Sequence, residues 1–155
     1  MKQTLYIIRG LTGSGKSTLA DSIVAGTKVF GEVNQTVKVE VEQFFTTNNG
    51  HKEIYKFDRR FLGAAHDECY GRVMRHLRAG VSVVVANTFS TDREVQRYLS
   101  GLQRTGLADK VSVQIIKCVG RYKSPHNIPA RAVEKMRQRW EDVAGEVVFD
   151  GELNV

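Results

Sequence analysis

The sequence contains only two cysteines, Cys69 and Cys118, and no run that approaches the roughly 20 consecutive apolar residues of a membrane span. Two cysteines on different predicted elements do not make a disulfide framework, and a chain of 155 residues is long enough to bury its own core. The N-terminus also lacks the long apolar region and the small-residue cleavage site of a secretion signal. We therefore expect a cytoplasmic protein without a membrane segment.

Acidic residues are in the minority, with 17 Asp and Glu against 23 Lys and Arg, so the net charge is +6. The basic excess lies mainly in residues 56–60, 72–78 and 121–139. A basic surface is typical of proteins that bind polyanions. A nucleotide site and ordinary solvated surface explain the same excess equally well, so the charge alone leaves a nucleic-acid partner open.

Short β-rich runs alternate with amphipathic helical segments, a pattern typical of parallel βαβ units. No repeat, linker or low-complexity segment divides the chain, so we predict a single domain over residues 1–155. Residues 81–86 are almost continuously apolar, which predicts a central strand covered on both faces. The predicted strands are 5–9, 37–41, 81–86 and 111–118, and the predicted helices are 16–25, 58–77, 91–103 and 129–143. Residues 46–51 are rich in turn formers and predict an irregular loop that contacts substrate.

Residues 10–17 match the pattern G-x-x-x-x-G-K-[ST] directly between a predicted strand and a predicted helix. Glycines allow a tight turn whose N–H groups face phosphate oxygens at a helix N-terminus. Lys16 is expected to reach the β and γ phosphates and Ser17 to bind Mg²⁺. The sequence has no N-K-x-D motif for guanine, which favours ATP. The predicted nucleotide-binding residues are Gly10, Thr12, Gly13, Ser14, Gly15, Lys16, Ser17 and Thr18. The fold class is then a P-loop NTPase-type α/β three-layer sandwich, with a mostly parallel sheet and helices on both faces.

Phosphoryl transfer also needs a group that orients or deprotonates the acceptor, usually at the carboxyl end of a neighbouring parallel strand. Glu42 follows the predicted strand 37–41 and is our candidate general base, with Glu40 on the same side of that strand as the second choice. Both acids are alternatively solubilising residues of an edge strand. Asp58 is a third candidate, although its place before an apolar helix is more typical of an N-cap.

Three further positions have two interpretations each. Asn87 stands at the strand end where an Asp would normally join the magnesium shell, so it either binds water or a hydroxyl or simply begins a loop. Arg121 follows a strand in a loop and is the basic residue that we expect to neutralise charge on the transferred group, with a solvated surface as the alternative. Phe44 and Phe45 either stack on an acceptor base or belong to the core.

Five segments in order resemble the P-loop kinases related to the phage-type 5′-polynucleotide kinase domain. They are 9–17 (RGLTGSGKS), 42–45 (EQFF), 64–69 (AAHDEC), 84–88 (VVANT) and 126–129 (HNIP), and the resemblance spans residues 7–141. It implies transfer of the γ-phosphate of ATP to a hydroxyl, often the 5′-OH of DNA or RNA, and in related phage enzymes to hydroxymethylated bases in DNA. It places Glu42 at the general-base position, usually Asp in the family, and Ala86 at a position where the family has a carboxylate.

Together these observations predict an ATP- and Mg²⁺-dependent kinase that acts on a hydroxyl of a nucleic acid or nucleotide, with Lys16, Glu42 and Arg121 as its catalytic residues. Two other functions stay open. The missing carboxylate at Ala86 favours a regulatory nucleotide-binding protein that has lost catalysis. A small-molecule kinase would need no basic surface beyond the residues that cover the nucleotide.

Overall fold

The computed structural model describes residues 3–29, 35–48, 50, 53–121 and 129–150. Within these residues the chain forms seven strands, four α-helices and two 3₁₀ turns. In chain order they are β1 Gln3–Gly10, α1 Lys16–Val29, β2 Thr36–Val39, the turn Val41–Phe45, β3 Thr46–Asn48, β4 Glu53–Tyr55, the turn Arg59–Phe61, α2 Leu62–Arg78, β5 Ser82–Asn87, α3 Asp92–Arg104, β6 Val111–Cys118, α4 Ala130–Gln138 and β7 Val147–Phe149.

Five strands form a parallel sheet in the order β2-β5-β1-β6-β7. Parallel neighbours need crossover connections, and here helices provide them on both faces of the sheet. Helix α1 packs on one face, and α2 and α3 pack on the other. This arrangement confirms the predicted α/β fold with its parallel sheet.

Strand β5 shows how the apolar pattern produces this layering, because all six of its residues are buried. Val83 and Val85 face the core formed with α2 and α3, whereas Val84 and Ala86 face the core formed with α1. Successive side chains of a strand point to opposite faces, so the middle of a strand covered on both sides is a continuous apolar run. The prediction of a buried central strand is confirmed.

Strand β2 ends at Val39, two residues before its predicted end. The backbone N–H of Val41 donates to Asn87 Oδ1 at 2.8 Å and begins the first 3₁₀ turn. The expectation that Glu40 and Glu42 alternate on one strand is therefore wrong. Glu40 follows the strand, and Glu42 lies in the turn.

Other predicted boundaries also differ from the structure. The segment predicted as irregular contains β3, which pairs antiparallel with β4 so that Thr46 lies opposite Tyr55. The last helix, predicted over 129–143, ends at Gln138. The rest of that predicted helix, including the buried Val143, is not helical.

None of the helices described here is both long and apolar enough to cross a lipid bilayer.

Candidate functional site

The loop between β1 and α1 has a backbone that only glycines accommodate easily. Gly13 and Gly15 have φ angles of 78° and 96°, in the region where side chains with a Cβ are strained. A Cβ on Gly10 would collide with Ser14 Oγ and lie 2.9 Å from the carbonyl oxygen of Cys118. The loop thus needs its glycines to turn this tightly at the carboxyl end of the central strand.

Helix α1 begins at Lys16, whose side chain extends back over this loop. Its Nζ donates to the carbonyl oxygens of Gly10, at 2.8 Å, and Leu11, at 3.0 Å. Burial lowers the pKa of the ammonium group, although Glu42, Cys118 and Glu40 act in the opposite direction. The ammonium and the first N–H groups of α1 lie together at one place, which is the arrangement that binds phosphate.

Ser17 lies one residue further along α1, and its hydroxyl donates to Glu40 Oε1 at 3.1 Å. Glu40 is buried at the end of β2. Burial raises the pKa of its carboxyl group; Lys38 Nζ, 3.8 Å from Oε1, opposes this effect, and the charge of Glu42 adds to it. The structure therefore brings a carboxylate onto the hydroxyl that the sequence predicted as a magnesium ligand.

Glu42 faces the same site from the 3₁₀ turn. Its negative charge acts to raise the pKa of the Lys16 ammonium, and it adds to burial in raising the pKa of the Tyr55 hydroxyl. Such effects require proximity. The Glu42 carboxylate is therefore close enough for its charge to act on both the lysine of the P-loop and Tyr55 of the hairpin β3–β4.

These groups fit a magnesium-bound nucleoside triphosphate. Mg²⁺ prefers oxygen ligands and usually takes only one or two from the protein, the rest coming from phosphate and water. Ser17 and Glu40 supply such oxygens, and the described residues contain no cluster of three or more His, Cys, Asp or Glu that would hold a metal alone. Ser14 Oγ is buried in the loop without a hydrogen-bond partner among the described residues, so the loop retains an unused polar atom.

Asn87 has a positioning role that its sequence context did not reveal. Its Oδ1 accepts from Val41 N, and its Nδ2 donates to Cys69 Sγ at 3.6 Å. Both ends of the amide are therefore used within the protein. Since Val41 lies between Glu40 and Glu42, Asn87 holds the backbone that carries both acids.

The other predicted site residues lie in different places. Arg121 is exposed beyond β6, and the N–H of the preceding Gly120 donates to the carbonyl oxygen of Ser14 at 3.1 Å. Strands β6 and β2 flank β1 and β5 from opposite sides, so Arg121 stands across the P-loop from the two acids. Asp58 accepts from the N–H of Arg60 and caps the second 3₁₀ turn, as its N-cap interpretation predicted.

Phe44 and Phe45 differ in exposure. Phe45 is 6% exposed and belongs to the core, whereas Phe44 is 38% exposed. Residues 126–128 of the family resemblance lie outside the described residues, as does Lys123.

Two residues near the site were not singled out from the sequence. Tyr55 lies in a segment without a periodic pattern, and only the pairing of β3 with β4 brings it near Glu42. Arg9 is fully buried at the end of β1 and donates through Nη1 to Glu146 Oε2 at 2.6 Å. A charged residue that ends an apolar strand was the available signal for Arg9.

An open groove of about 560 Å³ runs along the β6–β7 edge of the sheet. Its lining is apolar except for Gln114 and contains no titratable residue. The groove shares no residue with the P-loop or with the end of β2.

Several solved structures have the same fold. The chain is 16% identical to Kti12 of Chaetomium thermophilum, solved with ADP-AlF3, with a TM-score of 0.63 over 94% of this chain and 88% of that one. It is 13% identical to the APS kinase CysC of Mycobacterium tuberculosis, solved with AMPPNP and APS, with a TM-score of 0.59 over 86% of this chain and 68% of that one.

A third similar structure is the Pnkp1/Rnl/Hen1 RNA repair complex. A chain of that complex is 19% identical to this one, with a TM-score of 0.60. The match covers 89% of this chain but 44% of that one, so this protein spans less than half of its length. At these identities the three structures show a shared fold.

A family model described as an AAA domain matches residues 5–143, which include the P-loop, both acids and the positioning residue Asn87. The chain therefore belongs to this AAA domain family.

Proposed function

We propose that this protein is an ATP-dependent kinase that transfers the γ-phosphate to a hydroxyl group of a nucleic acid or nucleotide. The observation that carries this proposal is the contact of the Ser17 hydroxyl with Glu40, beside a second acid, Glu42, that faces Lys16. A protein that only binds nucleotide needs the P-loop. A kinase also needs acids where the acceptor and the metal meet.

Each residue has a role that follows from its position. Lys16 and the N–H groups at the start of α1 bind the phosphates, and Ser17 and Glu40 would hold Mg²⁺. Glu42, nearer the hairpin, orients the acceptor hydroxyl and accepts its proton as the new oxygen–phosphorus bond forms. ATP supplies the phosphoryl group when it is bound, and ADP leaves when the bond between the β and γ phosphates breaks.

Glu40 supplies a carboxylate in place of the one that is missing at Ala86. Ala86 is buried against α1 in the apolar core and supplies no metal ligand. Glu40 reaches Ser17 from the neighbouring strand end, so a carboxylate is available for the metal from another position. This supports retained catalysis over a purely regulatory role.

The acceptor class is the finer part of the proposal. The similar structures include a chain of an RNA repair complex and an APS kinase solved with APS. The first supports a polynucleotide acceptor and the second supports a small-molecule acceptor. The exposed cations Lys56, Arg59 and Arg60, which follow the hairpin β3–β4, favour the polynucleotide, because a small acceptor needs no positive charge beyond the nucleotide site.

The test is transfer of label from γ-labelled ATP with Mg²⁺ to 5′-OH DNA, 5′-OH RNA, hydroxymethylated DNA, nucleosides and APS. We expect labelled polynucleotide with the unmodified protein and a loss of about 10²-fold or more with Glu42→Gln. Glu134→Gln is the matched control, since Glu134 is an exposed acid of α4. Label on APS or a nucleoside alone would establish a small-molecule kinase, and nucleotide binding without any transfer would establish the regulatory function.

A further inference from the structure

Three phenylalanine side chains are exposed in the described part of the chain: Phe44, Phe57 and Phe61, at 38%, 52% and 48%. All three lie within 18 residues of sequence, from the first 3₁₀ turn through the hairpin to the second turn. A group of large exposed apolar side chains in one region of a protein often marks an interaction site. Their arrangement indicates what they bind.

Phe44 and Phe57 rest on the same buried ring. The ring centroid of Phe45 lies 5.1 Å from that of Phe44, in a T-shaped contact, and 5.2 Å from that of Phe57. The N–H of Lys56 donates to the carbonyl oxygen of Phe45 at 2.9 Å, which holds the end of the hairpin against this ring. The two exposed rings, which we call the aromatic platform, are thus fixed by the core rather than mobile on a loop.

The aromatic platform adjoins the proposed general base. Phe44 follows Glu42 by two residues in the same 3₁₀ turn, and Thr46 Oγ1 donates to the carbonyl oxygen of Glu42 at 2.9 Å. Tyr55, at the end of β4, also faces Glu42 and contacts Phe45, with ring centroids 6.5 Å apart. A group that rests on the platform therefore lies near the turn that carries Glu42.

Cationic side chains flank one ring of the platform in sequence. Lys56 and Arg59 are exposed on either side of Phe57 in sequence. The Arg60 guanidinium lies 5.7 Å from the centroid of the Phe61 ring and pairs with Asp58 at 2.8 Å. Exposed aromatic rings with flanking cations form the usual surface for single-stranded nucleic acid, because bases stack on the rings and phosphates contact the cations.

We infer that Phe44 and Phe57 form a stacking platform for a base of a single-stranded polynucleotide, and that the nucleotide with this base presents the acceptor hydroxyl to Glu42. This inference rests on the proposed function and specifies its acceptor as a single strand longer than one nucleotide. A free nucleotide would use the rings but not the successive cations of residues 56–60. A purely apolar partner would gain nothing from those cations.

The test is direct binding of a fluorescein-labelled single-stranded oligonucleotide of mixed sequence to the full chain, followed by fluorescence anisotropy without ATP. We expect Phe44→Ala and Phe57→Ala each to weaken binding by about tenfold, the typical loss for removal of one stacking ring. Phe57→Trp should retain binding, because it keeps an aromatic face. Lys56→Gln with Arg59→Gln should reduce the dependence of affinity on salt concentration.

Val148→Ala is the matched control, since Val148 is 60% exposed on β7 at the opposite edge of the sheet. The affinity of this variant for the oligonucleotide should not change. Thermal unfolding of every variant shows whether the fold is retained, and Phe57→Trp keeps the test valid if an alanine variant unfolds. Unchanged affinity in folded Phe44→Ala and Phe57→Ala proteins would overturn the inference. Equal affinity for a blunt duplex, or competition by a mononucleotide as strong as that by the oligonucleotide, would overturn it as well.

Failure of this inference and failure of the proposed function give different results. Phosphate transfer to a polynucleotide with an unchanged KM in the two phenylalanine variants would keep the kinase and remove the platform. Platform-dependent binding of the oligonucleotide without phosphate transfer would keep the platform as a nucleic-acid surface and remove the kinase.

Discussion

The Ser17 hydroxyl donates a hydrogen bond to Glu40 Oε1 at 3.1 Å, which joins the start of α1 to the end of β2. This contact connects the phosphate-binding loop with the side of the sheet where an acceptor would enter. Two nearby acids therefore act on different neighbours. Glu40 accepts the hydrogen bond of the serine, whereas the charge of Glu42 acts on Lys16 and on Tyr55 of the hairpin.

This division predicts different defects for two similar substitutions. Glu40→Gln should raise the Mg²⁺ concentration needed for half-maximal transfer, because it removes a charged metal ligand. Glu42→Gln should lower kcat by about 10²-fold or more with little change in the Mg²⁺ titration, because it removes a proton acceptor. Kinetics over a range of Mg²⁺ concentrations separate the two, and identical titrations for both variants would contradict the assignment.

Glu40→Gln should also leave the protein at least as stable as the unmodified chain at pH 7. Burial raises the pKa of Glu40 in the folded state, so the charged form is less favourable there than in the unfolded chain. The unmodified protein therefore loses stability as the pH rises through the folded pKa, and the variant does not. Urea denaturation at pH 4 and pH 7 measures the free energy of unfolding of both proteins. From pH 4 to pH 7, the variant should become more stable relative to the unmodified protein.

Arg9 is predicted to be the most costly ion-pair partner to remove. Its side chain is fully buried, pairs with Glu146 and donates to the carbonyl oxygens of Phe89 and Glu141. Arg9→Met should lower the free energy of unfolding by about 3–5 kcal/mol, because buried acceptors lose their donor. Arg137→Met breaks an exposed pair with Glu134 and should cost no more than about 1 kcal/mol. If chemical denaturation gave the same loss of unfolding free energy for both variants, the buried pair would contribute no more to stability than the exposed pair.

Asn87→Ala should damage catalysis without reducing nucleotide affinity. The variant leaves the N–H of Val41 without its acceptor and removes one of the two donors to Cys69 Sγ, at a cost of about 1–3 kcal/mol in stability. The turn that carries Glu42 then loses its anchor, so kcat should fall while the KM for ATP stays the same. Gln96→Ala, at an exposed position of α3, is the control. A rise in the KM for ATP with unchanged kcat would place Asn87 on the nucleotide side instead.

We predict that the buried thiol of Cys118 causes a loss of stability at alkaline pH. Burial raises the pKa of its thiol to about 11, from an ordinary value of 9.0, although the nearby Lys16 opposes the effect. The thiol is then neutral in the folded state at pH values where the unfolded chain already ionises. Stability from this group is present below pH 9 and is lost between about pH 9 and 11.

Cys118→Ala should remove this component of the alkaline loss, which is on the order of 2 kcal/mol. Urea denaturation of both proteins between pH 8 and 11 measures it. Parallel pH profiles would show that the buried thiol contributes nothing.

The sequence by itself determined the P-loop and the parallel α/β fold. The P-loop is a contiguous motif whose glycines and Lys16 act through local backbone geometry, so its residues need no distant partner to be recognised. The buried strand β5 was equally readable, since burial on both faces favours an uninterrupted apolar run, here residues 83–86.

Only the tertiary structure decided how the acids divide their roles and which aromatic ring is exposed. Strand β2 ends where it does because Val41 bonds to Asn87, 46 residues away, and that contact places Glu40 rather than Glu42 on Ser17. Phe44 and Phe45 are adjacent and chemically identical, and the core fills only one of the two positions. Such choices depend on contacts between distant segments, which local pattern and spacing do not contain.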